Sequence, residues 1–152
     1  MPNRQDKKGR SKGGGQYMPI SRHLATSDAW RSLSGPAVKV YVELRSRYNG
    51  GNNGDLSLSY SEAADLLALG KSTISRAFAE LQEKGFIEKT AEGQWYGRKA
   101  ATWMATDKPG KKGEPASNAW QSWRYPKTDP RFCGGTMRRV ASRQGTGGEK
   151  NS

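Results

Sequence analysis

Apolar residues recur at helical spacing in residues 34–48, directly after a pair of residues that favours a helix start. Ser34 supplies a hydroxyl cap, and Pro36 is tolerated in a first helical turn. The spacing predicts a helix to about Tyr48, with a core-facing stripe made of Ala37, Val40, Tyr41, Leu44 and Tyr48. The charged residues expected to lie mostly away from this stripe are Lys39, Glu43, Arg45 and Arg47.

Two further helical patterns lie close together in residues 59–87. Ser59 and Glu62 have the spacing of a capping box, which predicts that both side chains bind backbone amides. The residues expected to pack inward are Ala63, Ala64, Leu66 and Leu67. A turn is predicted at Leu69-Gly70, where glycine can adopt a left-handed conformation. The next helix starts at Lys71 or Ser72, and its buried stripe is Ile74, Ala77, Phe78 and Leu81.

Shorter patterns predict a small sheet beside these helices. Residues 55–58 alternate polar and apolar side chains, as a strand does. Gly85 should end the last helix, and residues 86–89 and 94–96 predict a hairpin with its turn at Glu92-Gly93. The second strand of this hairpin is predicted to continue to Met104. Earlier in the chain, Ser27 or Asp28 is predicted to cap a short helical turn that runs through Leu33. The predicted class is therefore α+β, mainly α with a small β-hairpin.

Composition and charge place this folded region between flexible basic ends. Only 33% of the 152 residues are hydrophobic, 19 are glycine, and the mean hydropathy is −0.93. Residues 1–16 carry five basic and one acidic side chain, and residues 105–152 carry ten and four. These ends hold most of the net charge of +12, which favours an anionic partner. We expect them to anchor phosphates.

The polar face of the third predicted helix suits the major groove of DNA. Its short hydroxyl side chains would let the backbone approach the bases, and Arg76 could reach a guanine edge or a phosphate. The small residues Ala63 and Ala64 would let the preceding helix cross it closely. The residues predicted to contact DNA from this helix are Lys71, Ser72, Thr73, Ser75 and Arg76.

The stretch 69–89 resembles winged helix-turn-helix regulators, including the GntR-like and MarR-like groups. The positions that carry the resemblance are Ser72 or Thr73, Ile74, Arg76, Leu81, Gly85, Phe86 and Ile87. The wider span 17–104 is similar to helix-turn-helix proteins of bacterial plasmids, phages and integrated elements. The insert in residues 49–55 and the tryptophan-bearing tail depart from the general pattern, and residues 105–152 are too few and too polar for a GntR-like effector domain.

The resemblance implies a winged helix-turn-helix fold with flexible basic N- and C-terminal tails. It implies that Ser72, Thr73, Ser75 and Arg76 face the groove while a wing contacts the minor groove or the backbone. The wing candidates are Lys89, Gln94, Arg98 and Lys99. The predicted segments are a disordered basic arm (1–16), a winged helix-turn-helix DNA-binding domain (17–106) and a basic, largely disordered tail (107–152) that includes the tryptophan-containing segment 117–125.

Enzyme chemistry finds no support in the sequence. Residues 65–72 end in the Gly-Lys-Ser of a phosphate-binding loop, but Asp65 replaces its first glycine and the intervening residues are apolar. One histidine, His23, and one cysteine, Cys133, offer no metal or nucleophile constellation. We therefore expect no catalysis, cofactor or metal. The single cysteine, the lack of a membrane span and the lack of a secretory signal fit a cytoplasmic, nucleoid-associated protein.

The leading prediction is a sequence-specific double-stranded DNA-binding protein that regulates transcription in a bacterial mobile element. We expect a homodimer on a repeated site, although no dimerisation helix follows the wing. One alternative is a plasmid or phage replication or partition initiator that recruits a protein partner through Trp120, Trp123 and Tyr125. Those aromatic residues could instead dock on the core, which is the preferred interpretation, or stack on bases. Another alternative is an RNA- or ribosome-associated basic protein.

Overall fold

Serine side chains start four of the five α-helices found in residues 16–126, 128, 132–133 and 136–137, which are the residues that this computed structural model describes. Each of these hydroxyls accepts a hydrogen bond from a first-turn amide. The helices are α1 Arg22–Ala25, α2 Asp28–Arg31, α3 Gly35–Ser46, α4 Tyr60–Leu67 and α5 Lys71–Glu83. The caps Ser34 and Ser59 confirm two predicted helix starts, and Ser27 is the cap rather than Asp28. The helix that starts at Ser21 was not predicted.

Three strands form one antiparallel sheet in the order β1-β3-β2. The strands are β1 Leu56–Ser57, β2 Ile87–Ala91 and β3 Thr102–Ala105. Leu56 lies opposite Trp103, and Ile87 lies opposite Ala105. A 3-10 helix, Ala119–Ser122, follows, and β4 Phe132–Cys133 pairs with β5 Thr136–Met137 in a separate hairpin. The fold is thus mixed α+β, as the sequence predicted.

The core lies where α3, α4 and α5 pack on one another and against the sheet. The apolar residues predicted for α5 are all buried, as are Ala37, Val40, Tyr41 and Leu44 of α3. Trp103 of β3 is among the largest fully buried side chains. Its ring stacks on Phe78 at 4.6 Å between centroids, and its indole nitrogen donates to the Leu58 carbonyl oxygen at 3.2 Å. The sheet is therefore fixed to α5 through aromatic contacts.

Arg45 corrects the expectation that the charged residues of α3 face away from the core. Arg45 is only 2% exposed, and its Nε lies 3.2 Å from Asp107 Oδ1. Its Nη2 also donates to the Pro19 carbonyl oxygen at 3.1 Å. Burial, and then the negative charge of Asp107, raise the pKa of the neighbouring Tyr41 hydroxyl. Two chain segments distant in sequence cover this side of α3, and the helical spacing alone could not show them.

Two details of α4 differ from the prediction. Leu66 is 57% exposed, because it lies about 100° around the helix from the buried centre formed by Ala63, Ala64 and Leu67. Glu62 does not complete the capping box. Ser59 still accepts a hydrogen bond from the Glu62 amide, while the Glu62 carboxylate pairs with Arg47 at 2.9 Å.

The turn between α4 and α5 also differs. Ala68, not Gly70, has the left-handed conformation, with φ of 53°. Gly70 is extended and serves as the N-cap of α5. The amide of Leu69 donates to the Ala64 carbonyl oxygen, which closes the end of α4. Because Ala68 supplies the left-handed residue, Gly70 is free to lead directly into α5.

The hairpin is longer than predicted, and its turn lies elsewhere. Gln94 and Lys99 exchange backbone hydrogen bonds of 2.9 and 3.1 Å around the four-residue turn 95–98. Residues 94–96 do not form a strand, and β3 begins only at Thr102. A Cβ at Gly93 would lie 3.1 Å from both the Ala101 nitrogen and the Lys99 oxygen. Glycine therefore serves a close approach of the two arms rather than the turn.

Residues 107–126 pack on the body, so the boundary predicted at 106 falls inside a continuous structure. Asn53 is buried and donates to the carbonyl oxygens of Ala105, Lys108 and Pro109, while accepting from the Ala105 amide at 2.7 Å. Trp120 is 3% exposed, and its ring is nearly parallel to that of Phe86 at 6.3 Å. Core docking of Trp120 is thus confirmed.

The described residues contain no helix that is both long and apolar enough to cross a bilayer. The predicted disorder of residues 1–15, and of most of residues 127–152, lies outside the described part of the chain. The predictions for Cys133 concern its side chain, which also lies outside that part.

Candidate nucleic-acid interface

The polar residues predicted to contact DNA lie on the side of α5 opposite its buried stripe. Successive residues of an α-helix are rotated by about 100°, which places positions 72, 75, 76 and 79 together and positions 74, 77, 78 and 81 on the other side. The second group is buried, whereas Ser72, Ser75, Arg76 and Ala79 are exposed. Lys71 is exposed and Thr73 is half-buried, at the two edges of this face. The structure therefore brings the five predicted α5 residues onto one accessible surface.

The first turn of α5 differs chemically from that of the other four described α-helices. Gly70 provides no side-chain cap, whereas a serine caps each of the others. As in α1 and α3, no acidic residue lies in the first turn. The leading amides of α5 therefore lack the hydroxyl acceptor that serine provides elsewhere. Together with the positive end of the helix dipole, they can bind an anionic oxygen.

A charged cluster fixes α5 to the start of α3. The Glu80 carboxylate accepts hydrogen bonds from the Ser34 amide and hydroxyl at 3.0 and 2.6 Å, and it pairs with Lys84 at 2.9 Å. Lys84 also donates to the Ser32 carbonyl oxygen. Partial burial would raise the pKa of Glu80, but the hydrogen bonds from Ser34 and Lys84 outweigh it and hold that pKa below its ordinary value. The cluster therefore adds a polar contact to the apolar packing that holds α5 on the body.

The four predicted wing residues line a single open cleft of about 840 Å³ between the hairpin and the start of α4. The opposite wall is formed by Ser59, Tyr60 and Ser61. All four wing residues, Lys89, Gln94, Arg98 and Lys99, are exposed. The α5 residues do not line this cleft, so the predicted site divides into a helix face and a hairpin surface.

Not every wing cation is equally available. The Lys89 ammonium lies 3.3 Å from the Glu92 carboxylate and over the ring of Trp103, 5.4 Å from its centroid. No ion pair is described for Arg98 or Lys99 within residues 16–126. These two cations, beside the hairpin turn, are the stronger candidates for phosphate contacts.

Two aromatic residues at the hairpin turn were missed as site residues by the sequence reasoning. Trp95 is 90% exposed and Tyr96 is 100% exposed. The prediction placed both in a strand, which implies that one of them faces the core. The signal that could have found them is the run Trp-Tyr-Gly-Arg, in which a glycine follows two aromatics inside a polar segment.

The aromatic residues proposed to recruit a protein partner are largely committed to the fold. Trp120 and Tyr125 are 3% and 6% exposed. Trp123 is half-buried, and its ring lies 4.8 Å from that of Tyr125 and 5.1 Å from the Lys84 ammonium. A recruiting surface on these residues stays a prediction, and the burial of Trp120 and Tyr125 counts against it, since rings packed on the body are not available to insert into a partner.

Two chemical alternatives can be checked at the same place. Gly70, Lys71 and Ser72 do not belong to a phosphate-binding loop, because residues 65–67, where the loop backbone would have to surround the phosphate, lie in α4. Among the described residues there is no group of three histidine, cysteine, aspartate or glutamate side chains that could hold a metal ion.

No family model, no curated protein and no solved structure matches this chain.

Proposed function

We propose that this protein is a non-enzymatic, sequence-specific double-stranded DNA-binding protein with a winged helix-turn-helix fold. In this proposal α4 and α5 are the helix-turn-helix, and the hairpin from β2 to β3 is the wing. The order helix, strand, helix, helix, strand, strand supports it, as does the three-stranded antiparallel sheet. The observation that carries the proposal is the exposed face of α5, which combines short hydroxyls with one arginine opposite a fully buried stripe.

The α5 face fits the major groove in size and chemistry. The serine and alanine side chains at positions 72, 75 and 79 are short, so the helix backbone can approach the base edges closely. Arg76 is the only long side chain among them and can donate two hydrogen bonds to a guanine. The uncapped amides at the start of α5 would bind a phosphate oxygen and fix the register.

The wing and the chain ends would supply most of the electrostatic attraction. The α5 face carries only Lys71 and Arg76 as cations, which limits its contribution to affinity. Arg98 and Lys99 would contact the backbone or the adjacent minor groove. The basic residues of 1–16 and 105–152 would add binding that depends on salt but not on sequence.

For the biological role we propose a cytoplasmic, nucleoid-associated regulator of transcription in a bacterial mobile element, acting as a homodimer on a repeated site. The replication or partition alternative is weakened at its recruiting residues, because Trp120 and Tyr125 are packed on the body. The RNA alternative loses Trp120, which is buried, but it keeps an exposed tryptophan at the hairpin turn, where Trp95 is 90% exposed. A competition assay still tests it, since binding that prefers structured RNA over duplex DNA would contradict the proposal.

The test begins with selection of bound duplexes from a random pool, followed by measurement of binding by Arg76→Ala. We expect this variant to lose roughly 1–3 kcal/mol on the selected site and to relax the preference at one base position, because a bidentate contact disappears. Arg31→Ala is the matched control, since Arg31 is an exposed arginine at the end of α2. If Arg76→Ala binds selected and random duplexes as the wild type does, α5 is not the reading helix.

A further inference from the structure

The turn at the end of the hairpin presents two adjacent aromatic rings to solvent. Trp95 and Tyr96 are 90% and 100% exposed, whereas Trp103 and Trp120 are 0% and 3% exposed. Large aromatic side chains stabilise a fold most when they are buried, and neither ring at the turn is buried. Exposed aromatic residues side by side are typical of a surface that contacts a partner.

The backbone holds these rings on a closed turn. The paired hydrogen bonds between Gln94 and Lys99 close the turn, and the Arg98 amide donates to the Trp95 carbonyl oxygen at 3.3 Å. Arg98 adopts a left-handed conformation, with φ of 49°, to complete it. The aromatic pair is thus placed at the end of a two-stranded arm that is anchored in the sheet through β2 and β3.

The groups around the rings define the chemistry of the partner. Arg98 and Lys99 are exposed cations, while Glu92, the acidic residue nearest to them in sequence, is paired with Lys89. The cleft beside the turn adds the hydroxyl residues Ser59 and Ser61 and the aromatic residue Tyr60. Flat rings, unpaired cations and hydrogen-bonding groups together are complementary to a polyanion that carries flat bases.

We propose that Trp95 and Tyr96 stack on unpaired bases, so that the protein binds DNA with an opened segment beside its site more tightly than fully paired duplex. This inference rests on the proposed function and extends it from reading a duplex to holding an opened one. Bases within a paired stack have both faces covered by neighbours, so an aromatic ring gains a free face only where the stack is open. Arg98 and Lys99 would bind the phosphates next to the opened bases.

The preference should depend on the open structure and not on base identity. Stacking on an aromatic ring tolerates every base, because every base has a π-face. Sequence would still be read by α5, which carries the hydrogen-bonding residues. The two surfaces therefore make separable contributions to binding, and substitutions at the turn should leave the reading of the selected site unchanged.

The experiment compares the full-length wild type with the double variant Trp95→Ala/Tyr96→Ala. The probes are the selected duplex, fully paired, and the same duplex with a short mismatched bubble moved stepwise along both flanks. Affinity is measured by fluorescence anisotropy, and stacking by the quenching of 2-aminopurine in the bubble. We expect the wild type to bind one bubble position more tightly than the paired duplex. The ratio of these two affinities should fall by roughly tenfold to a hundredfold in the double variant.

Two controls separate ring stacking from other effects. Trp95→Phe/Tyr96→Phe keeps the rings and should keep the preference. Tyr17→Ala removes an aromatic side chain that is 85% exposed but lies outside the hairpin, and it should bind as the wild type does. Because all three sites are exposed, thermal unfolding should be nearly unchanged in each variant.

Each result supports or overturns the inference. Loss of the bubble preference with unchanged binding to paired duplex supports it. Equal affinity of the double alanine variant and the wild type for every probe overturns it, as does an equal loss on bubble and paired duplex. Binding of anionic vesicles that depends on the two rings, without an effect on DNA, also overturns it and identifies the turn as a membrane contact.

Failure of the proposed function gives a different pattern. If the wild type selects no duplex motif and Arg76→Ala changes nothing, the reading of DNA by α5 is wrong, whatever the turn does. If Arg76→Ala weakens binding to the selected duplex while the aromatic residues have no influence, only the inference about the turn fails.

Discussion

Gly85 connects α5 to β2 in a left-handed conformation with φ of +80°, against the segment that carries Trp120. A Cβ at this position would lie 2.7 Å from the Ala119 carbonyl carbon and 2.8 Å from the Trp120 nitrogen. Both are backbone atoms, so the clash cannot be relieved by a side-chain rotation. We expect Gly85→Ala to lower the free energy of unfolding by about 2–4 kcal/mol, from backbone strain and overpacking together. Urea denaturation measures this.

Gly113→Ala is the matched control, because it shares the backbone strain but not the clash. Gly113 has φ of +77°, and nothing lies within 4 Å of an added Cβ. We expect a loss of only about 1 kcal/mol there. Equal effects of the two substitutions would show that the segment around Trp120 is not packed against Gly85.

Single residues were predictable where local spacing decides their role. The buried positions of α5 and the serine caps follow from the periodicity and from the first turn of each helix. Arg45 was not predictable, because its burial depends on Pro19 and Asp107, which meet it only in the folded chain. The conformation of Ala68 was missed for a related reason. Glycine is the residue type that most readily adopts a left-handed conformation, so the sequence pointed to Gly70. In the structure Ala68 adopts that conformation and Gly70 is the N-cap of α5.

At the scale of elements, the ionised Glu80 carboxylate adds a polar link between α5 and the start of α3. Hydrogen bonds from Ser34 and Lys84 hold its pKa below the ordinary value against the opposing effect of burial. A carboxylate whose pKa is lower in the folded state stabilises folding above its unfolded pKa of about 4.3, and this stabilisation is lost as the pH falls below that value. We expect Glu80→Gln to lower the free energy of unfolding by about 1 kcal/mol at pH 7, with the difference from the wild type shrinking below about pH 4.

The control for this prediction is Glu83→Gln, an exposed glutamate near the end of the same helix. Its substitution should change the free energy of unfolding by less than about 0.5 kcal/mol. Denaturation curves recorded across the acid range provide the measurement. A wild-type stability that falls in parallel with that of Glu80→Gln would show that Glu80 does not link the two helices.

The exposure of the candidate site residues was predictable where they lie on one element and less predictable where elements meet. The exposed residues of α5 follow from the pattern that buries its other side, so five of the proposed contacts were accessible to sequence reasoning. The hairpin was not, because its turn position depends on the pairing of Gln94 with Lys99 and on the close approach at Gly93. Because the predicted turn was a few residues too early in the chain, Trp95 and Tyr96 were assigned to a strand, although they lie at the end of the hairpin.

At the scale of the whole molecule, the proposed function assigns most of the charge and the reading of sequence to different parts of the chain. Deleting residues 1–15 and 127–152 keeps every core residue that the structure describes and removes eleven basic and three acidic side chains. The formal net charge falls from +12 to +4. A deletion that began at residue 108 would be unsuitable, because it would also remove Trp120 from the core.

We expect the shortened chain, residues 16–126, to bind selected and random duplexes more weakly by similar factors at low salt. Each phosphate contact that is lost should reduce the slope of log K against log salt by about 0.9. The ratio of selected to random affinity should stay close to that of the full chain, because the α5 face is intact. Arg76→Ala in the full chain should instead lower that ratio, and it should change the salt slope by no more than the loss of about one phosphate contact does. Titrations at several salt concentrations measure both quantities. An unchanged slope would mean that the ends do not touch DNA, and a lost ratio would place part of the sequence reading outside α5.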